Sequence, residues 1–267
     1  MEIISANVLW LGVSWGKAHT NFKLNTMITN THPSIEQTLK PNCAKPLLGD
    51  CAGFQSDIYL MDCITLMKEY PDNYFDLAVV DPPYGIGFSG YERGGMGKKV
   101  KERYTKNEKK KWDNDIPTIE YFIELFRVSK NQIIWGGNYF DLPPTQCFVF
   151  WYKQNPVPNF ADGEMAWTSF KKPAVCFDFR YYGNLSGKTS ASQKIHPTQK
   201  PTELYDWIFK NYASEGMKVL DTHLGSGSSR ISANKYKLNF VGCEIDQEYF
   251  DKSQKRYDDF VSQVRLF

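Results

Sequence analysis

The feature that most constrains the fold is a short apolar run that ends in an acidic residue and recurs along the chain. The runs and their final acids are 58–62 (Asp62), 77–81 (Asp81), 217–221 (Asp221) and 239–244 (Glu244). A continuous apolar run of this length is typical of a strand buried on both faces, and helical spacing fills the segments between the runs. The sequence therefore predicts an α/β protein with a parallel sheet covered by helices on both sides.

Further segments complete this pattern. Helical spacing predicts helices over residues 63–69, 119–128, 201–212, 228–236 and 247–264. Apolar runs predict further strands over residues 132–135, 147–152 and 174–179, with the last two antiparallel. Ordered structure is expected from residue 56 onward, so residues 56–267 form the predicted domain. Residues 1–55 lack a sustained period and are predicted to be an extension of unknown role.

Charge alone does not identify a partner, because the net charge is only +2 with 23% charged residues. Its distribution is more informative. Residues 88–115 combine several glycines with a basic run that includes Lys98, Lys99, Lys101 and Arg103. We expect this basic loop to contact phosphates, since lysine and arginine bind the backbone of nucleic acids without reading sequence. The alternative is a solvated run of charges.

The cysteines and the apolar segments restrict the class of protein. None of the six cysteines forms a CxxC pair, and the chain has only four histidines, so we expect no metal site. Scattered reduced thiols are typical of a cytoplasmic protein. No apolar stretch approaches the length of a membrane span, and the N-terminus lacks the pattern of a secretion signal.

A glycine-rich loop after the run that ends in Asp221 predicts a cofactor site. Gly225-Ser226-Gly227 lies between a predicted strand and a predicted helix, where glycines let the backbone approach a ligand and helix N–H groups favour an anion. Glu244, at the end of the next strand, could accept hydrogen bonds from ribose hydroxyls. The loop lacks the third glycine of a dinucleotide fingerprint and the lysine of a P-loop, which disfavours NAD and ATP. A tight turn beside a solvated acid remains the alternative.

The sharpest motif is Asp81-Pro82-Pro83-Tyr84. Two prolines after a buried strand stiffen the turn and remove two backbone donors, while their carbonyls remain as acceptors. Together with a carboxylate and an aromatic ring, these acceptors suit a planar aromatic amine. The alternative is a stiff turn with a core tyrosine.

These motifs resemble those of the DNA amino-methyltransferases, which modify N6 of adenine or N4 of cytosine. Asp81-Pro82-Pro83-Tyr84 matches their DPPY motif, residues 221–227 resemble their DPFxGSG motif, and residues 196–201 match an HPTQKP element of one branch. The catalytic motif precedes the cofactor motif, as in the circularly permuted beta-type group. The resemblance covers about residues 57–265. It implies a three-layer Rossmann-like fold with a mostly parallel, seven-stranded, circularly permuted sheet.

The resemblance also implies roles for individual residues. S-adenosylmethionine would be the cofactor, bound by Asp221, His223, Gly225, Ser226 and Gly227, with Asp62 near its adenine, Glu244 on its ribose, and Thr198 or Lys200 near its methionine end. Thr222 and His223 depart from the proline and phenylalanine of the family motif. The glycines are kept, so we expect cofactor binding to be kept. His223 could pack on the cofactor as the phenylalanine does.

The implied activity is methylation of N6 of an adenine flipped out of double-stranded DNA, with Asp81, Pro82, Pro83 and Tyr84 as catalytic residues. N4-cytosine methylation is the nearest alternative, although that group more often carries Ser where Asp81 stands. An RNA base or a glutamine amide is a second alternative, for which the motif more often begins with Asn. A DNA-binding protein that kept the fold without catalysis is the alternative from another class.

The target sequence and the assembly are not set by these motifs. Residues 183–195 form a short polar insert that is the predicted target-recognition region. Relatives of this branch often pair, so a homodimer is one expectation. The sequence contains no nuclease motif, which leaves open whether a separate restriction nuclease accompanies the chain.

Overall fold

The computed structural model describes residues 54–86, 113, 115–155, 161–181 and 194–263. Most of the predicted N-terminal extension, the basic loop and the 183–195 insert lie outside the described residues. The roles predicted for Lys98, Lys99, Lys101 and Arg103 therefore stay predictions.

Every helix and strand predicted from the sequence is present, with bounds shifted by a few residues. The strands are β1 (Ser56–Leu60), β2 (Leu77–Val80), β3 (Gln132–Trp135), β4 (Phe148–Tyr152), β5 (Gly163–Thr168), β6 (Val175–Asp178), β7 (Lys218–Asp221) and β8 (Asn239–Glu244). The α-helices are α1 (Cys63–Lys68), α2 (Ile119–Val128), α3 (Thr202–Tyr212), α4 (Ser228–Lys235) and α5 (Gln247–Val261).

The strands form one sheet in the order β1-β8-β7-β2-β3-β5-β4-β6. The five strands from β1 to β3 are mutually parallel, and β5 runs antiparallel to both β3 and β4. This confirms the predicted α/β fold with a mostly parallel sheet. The predicted number of seven strands was too low, because the described residues form eight.

The error lies in the half of the sheet beyond β3. The sequence analysis missed β5, since its segment begins Gly163-Glu164 and shows no continuous apolar run. It also predicted β4 and β6 as antiparallel partners, whereas they are parallel. The missed strand explains both differences, because the chain reverses into β5 and reverses again into β6.

Continuous apolar strands give the sheet a core on each face. Leu77 and Val79 of β2 pack in one cluster with α3 and α4, whereas Ala78 and Val80 pack in the other with α1 and α2. Successive side chains of a strand point to opposite faces, so a strand covered on both sides must be apolar at every position. The two clusters and the sheet between them make the three predicted layers.

Parallel pairing brings the acids of the sequence pattern to one edge of the sheet. β1, β8, β7 and β2 are neighbours in that order, and Asp62, Glu244, Asp221 and Asp81 lie at or just beyond their carboxyl ends. The chain leaves β7 toward β8 and leaves β2 toward β3, on the opposite side. Ligands of open α/β sheets bind in the crevice at such a switch point, here between β7 and β2.

None of the helices in the described segments has the length and apolar character needed to cross a membrane.

At the amino ends of the strands, Asp76, which precedes β2, binds residues that begin or precede the two neighbouring strands. Its Oδ2 accepts the Lys218 N–H of β7 at 2.9 Å, and its Oδ1 accepts the Lys130 ammonium at 2.7 Å. Burial raises the pKa of this carboxyl, but Lys130 and the Lys218 N–H outweigh that effect and leave the pKa below its ordinary value. A carboxyl with a lowered pKa stabilises the fold above its unfolded pKa, and the contribution is lost as pH falls through the folded pKa.

We therefore expect Asp76→Asn to lower the free energy of unfolding at neutral pH by about 1 kcal/mol. The difference from the wild type should shrink on acidification, because the wild-type carboxyl then becomes protonated too. Urea unfolding between about pH 6 and about pH 3 measures this. Asp259→Asn removes an exposed ion pair with Lys255 and serves as the control, with little expected effect. A pH-independent difference would contradict the assignment.

Candidate active site

The Asp81-Pro82-Pro83-Tyr84 turn follows β2 directly and is fixed at its far end. The N–H of Tyr84 is the first backbone donor after the prolines, and it donates to Asp113 Oδ1 at 2.9 Å. Asp113 is only 3% exposed, so this bond is shielded from water. Sequence reasoning missed Asp113, which follows a basic run and shows no local pattern of its own.

Tyr84 is held against the acid that precedes it. Its hydroxyl donates to Asp81 Oδ1 at 2.6 Å, and its ring stacks on Tyr139 with centroids 4.9 Å apart and planes 13° from parallel. Burial and the nearby Asp81 raise the pKa of Tyr84 well above its ordinary value, so the hydroxyl stays a donor. Tyr139 is 44% exposed and belongs to the short 3-10 turn after β3; the sequence analysis did not single it out.

Lys200 joins the HPTQKP element to the catalytic turn. Its ammonium lies 2.5 Å from Asp81 Oδ2 and 3.2 Å from Glu164 Oε2, and the side chain is 5% exposed. Burial lowers the pKa of this ammonium, but the two carboxylates outweigh that effect and raise it. Lys200 is therefore a buried, permanently charged partner of Asp81.

Glu164 of β5 extends this contact into a row of alternating charges. Its other oxygen, Oε1, pairs with Lys153. Burial raises the pKa of Glu164, but Lys200 and Lys153 outweigh that effect and lower it to about 2. The resulting row of Lys153, Glu164, Lys200 and Asp81, which we call the charge row, has two cations and two anions. Sequence reasoning missed Glu164 together with its strand.

The glycine loop between β7 and α4 adopts the backbone that its residues predict. Gly225 and Gly227 have φ of +51° and +69°, in the left-handed region that side chains disfavour. Glu244 lies against this loop: its Oε2 accepts the Gly225 N–H at 2.9 Å, and its Oε1 accepts the N–H groups of Ile245 and Asp246. Burial raises the pKa of Glu244. The loop and the acid of β8 thus form one unit.

Asp221 binds both ends of this loop through its two carboxylate oxygens. Its Oδ2 accepts the Ser229 hydroxyl at 2.5 Å, and its Oδ1 accepts the His223 N–H at 3.0 Å. Burial raises the pKa of Asp221 to about 7, although these two donors favour the charged form. The carboxyl is 3% exposed and ties the end of β7 to the first turn of α4.

His223 has the properties of a neutral aromatic residue. Burial lowers its pKa to about 4, and its ring makes an edge contact with Tyr121 at a centroid distance of 5.4 Å. Its Nδ1 lies 2.9 Å from the Thr222 hydroxyl, which in turn lies 2.7 Å from the hydroxyl of Tyr121. These contacts fix the ring just after the end of β7.

The HPTQKP element packs on the glycine loop. The His196 ring lies beside Gly225, and its Nδ1 is 3.1 Å from the hydroxyl of Thr198. The carbonyl of Lys200 accepts the Ser228 hydroxyl at 2.8 Å. From α5, Arg256 donates to the Ser226 carbonyl and the Ser228 hydroxyl at 2.8 and 2.9 Å. Sequence reasoning missed Arg256, because a lone arginine in a charged helix carries no signal.

Asp62 occupies the carboxyl end of β1, next to β8. Its Oδ1 accepts the N–H and the hydroxyl of Thr65 at 2.9 and 3.1 Å, so it caps the N-terminus of α1. The structure thus brings Asp81, Tyr84 and Lys200 into direct contact with one another. Gly225 and Glu244 form a second, separate contact. Among the described residues, no cluster of histidine, cysteine or acidic side chains could hold a metal ion.

The close approach of Gly136 to Tyr84 gives a test of this geometry. Gly136 has φ of +70°, and a Cβ there would lie 2.2 Å from the Tyr84 ring. Gly136→Ala should lower the free energy of unfolding by about 2–5 kcal/mol and displace Tyr84 from Asp81, because strain and collision add.

Gly216→Ala is the matched control, since its φ is +83° and its added Cβ would meet no atom within 4 Å. It should cost only the backbone strain, about 1–2 kcal/mol. Denaturant unfolding of both variants measures the difference. Equal costs would show that the Tyr84 ring is not held against Gly136.

Comparison with known proteins identifies the family of the chain. A family model for the N6/N4 DNA methylases matches residues 98–255. The type II methyltransferase M.HinfI of Haemophilus influenzae is 26% identical over an alignment of 250 residues. The match covers 76% of this chain and 68% of that protein. The type II methyltransferase M2.MboI of Moraxella bovis is 24% identical over 252 residues, covering 78% and 91%.

A solved structure has the same fold. The PvuII DNA methyltransferase, which is cytosine-N4-specific, superimposes with a TM-score of 0.51 at 14% identity, covering 80% of this chain and 89% of that one. The family model spans more than half of the 267 residues. The chain therefore belongs to the N6/N4 DNA methylase family and is a DNA methyltransferase.

Proposed function

We propose that this DNA methyltransferase transfers a methyl group from S-adenosylmethionine to N6 of an adenine flipped out of double-stranded DNA. The observation that carries the proposal is the contact of Asp81 with Tyr84 and Lys200 at the end of β2, beside the glycine loop of β7. A hydrogen-bond acceptor for the amine and a site for the nucleoside part of the cofactor thus lie on the two sides of the crevice.

The residues around the glycine loop fit S-adenosylmethionine. Glu244 accepts three N–H groups, and a carboxylate has about four lone-pair sites, so an acceptor remains for a ribose hydroxyl. His223 offers a neutral ring. Thr198 is the better candidate for the methionine end, because the Lys200 ammonium is engaged by Asp81 and Glu164. When bound, S-adenosylmethionine supplies a methyl group already activated on a positively charged sulfur.

The catalytic turn suits an amine whose lone pair is conjugated with an aromatic ring. Asp81 and the Pro82 carbonyl would accept its hydrogens and favour a more tetrahedral nitrogen, with the lone pair aimed at the methyl group. The Asp81 carboxylate would also stabilise the positive charge that develops on nitrogen as the methyl group leaves the sulfur, and it would accept the amine proton that must then leave, passing it to solvent. Positioning by the stiff proline turn supplies the rest of the barrier reduction.

The target amine is reached only when its base leaves the duplex, which costs a few kcal/mol. Stacking on Tyr84 would return roughly 1–3 kcal/mol of that cost, with the base displacing the Tyr139 ring that is stacked on Tyr84. Because Tyr84 donates to Asp81 Oδ1 at 2.6 Å, the incoming amine must share or displace this bond. We propose that the basic loop at 88–115, including Lys98, Lys99, Lys101 and Arg103, contacts the DNA backbone.

Adenine is favoured over cytosine by the acid that opens the motif, since the cytosine-N4 group more often carries Ser in place of Asp81. The first experiment incubates the protein with labelled S-adenosylmethionine and unmethylated DNA, then identifies the nucleoside by digestion and mass spectrometry. We expect N6-methyladenine. N4-methylcytosine would keep the mechanism and overturn the choice of base, and a lack of DNA product with the donor still bound would favour a different amine substrate or a missing partner.

The role of Asp81 is tested by separating turnover from donor binding. Asp81→Ala should lower kcat by at least about 10²–10⁴-fold, because the amine loses its charged acceptor. The Kd for S-adenosylmethionine, measured by calorimetry, should stay nearly unchanged, since the predicted donor contacts lie on the glycine loop.

Asp81→Asn is the companion variant, because it keeps one acceptor oxygen and loses the charge and the second acceptor. Its kcat should fall less than that of Asp81→Ala. Loss of donor binding in both variants in step with turnover would reject the assignment of Asp81 to the amine.

A further inference from the structure

We propose that Glu164 is a positioning residue for methyl transfer: it holds the Lys200 ammonium on Asp81 and thereby fixes the orientation of the catalytic carboxylate. This inference rests on the proposed function, in which Asp81 accepts the amine. Within the described segments Glu164 forms ion pairs with Lys153 and Lys200, so it acts on Asp81 through Lys200.

The Lys200 ammonium has two carboxylate partners, and it also donates to the Tyr84 hydroxyl at 3.3 Å. Its side chain is 5% exposed, and the ammonium lies 5.3 Å from the ring centre of Trp135 and 5.8 Å from that of Tyr84. A buried cation that loses a partner leaves charge without compensation, which is strongly unfavourable. The ammonium therefore stays where both Asp81 and Glu164 reach it.

Glu164 is itself fixed by the neighbouring strand. It lies on β5, in register with Trp151 of β4, and Lys153 follows β4 directly. Lys153 pairs with Glu164 and lies 4.8 Å from the ring centre of Trp151. Lys153 thus fixes Oε1 by a hydrogen bond, and the buried Oε2 faces the Lys200 ammonium as an ion pair without a hydrogen bond, so the charge row is anchored in the antiparallel half of the sheet.

The consequence for Asp81 is a carboxylate with a defined orientation. Lys200 engages Oδ2, which leaves Oδ1 directed at the Tyr84 hydroxyl, on the side where the amine would be received. The charge row also balances two cations with two anions. Removing the charge of Glu164 would leave a net positive charge next to an amine that becomes positive during the reaction, and this would raise the barrier.

The test is a double-mutant cycle on kcat with Glu164→Gln, Lys200→Met and the double variant. Glu164→Gln should lower kcat by about 10–100-fold, because small misplacements of catalytic groups have effects of this size. KM for DNA and the Kd for S-adenosylmethionine should change by less than about twofold, as expected for a group that acts in the transition state alone. In the Lys200→Met background, Glu164→Gln should have almost no further effect on kcat.

Glu124→Gln is the matched control. Glu124 is 15% exposed and pairs with Arg127 on α2, so the variant loses a comparable ion pair outside the site. It should lower the free energy of unfolding while leaving kcat unchanged. Glu164→Gln with wild-type kcat, or additive effects on kcat in the cycle, would overturn the inference and assign the ion pair to stability alone.

Two further measurements keep the outcomes distinct. If Lys200→Met does not fold, as judged by loss of donor binding, Lys200→Arg replaces it, and the same non-additivity with Glu164→Gln is required. A wild-type protein that methylates no base would contradict the proposed function, whereas an active wild type with an unaffected Glu164→Gln variant contradicts only the role of Glu164.

Discussion

The site depends on the parallel pairing of β2 with β7. Leu77 pairs with Val219 and Ala78 with Leu220, and this short register joins the strand of the catalytic turn to the strand of the glycine loop. Because the two strands run in the same direction, both loops emerge at the same edge. Because the chain leaves them in opposite directions, the space between the loops stays open as a crevice. The asymmetry of the connections, more than any single side chain, makes room for two ligands.

Acids at equivalent strand ends have different roles, and the local donors decide which. Asp221 accepts the Ser229 hydroxyl and the His223 N–H and so holds the loop together, while burial raises its pKa. In the described part of the chain no backbone N–H donates to Asp81, and the two residues that follow it are prolines. Lys200 holds its Oδ2, whereas a substrate can share or displace the bond between its Oδ1 and the Tyr84 hydroxyl. The proline turn thus keeps Asp81 available for a substrate.

Most of the parallel half of the sheet could be predicted from the sequence, because strands covered on both faces must be apolar throughout. The ends of those strands also placed Asp62, Asp81, Asp221 and Glu244 correctly at the edge. The antiparallel half was harder. β5 carries Glu164, whose charge links this strand to the site. The same charge interrupts the apolar run by which the other strands were predicted. Asp113 and Arg256 were missed for a related reason, since each acts only through contacts with residues distant in the chain.

The residues of the site are neighbours in space although they lie far apart along the chain. Lys200 lies after the antiparallel strands and before β7, so the HPTQKP element can pack its backbone on the glycine loop while its lysine reaches the end of β2. One short segment thereby touches both halves of the crevice. The charge row extends this link to β5, which pairs with β3 on the side away from β2. The same six residues, 196–201, therefore contact both the glycine loop and the catalytic turn, although these two motifs lie far apart in the sequence.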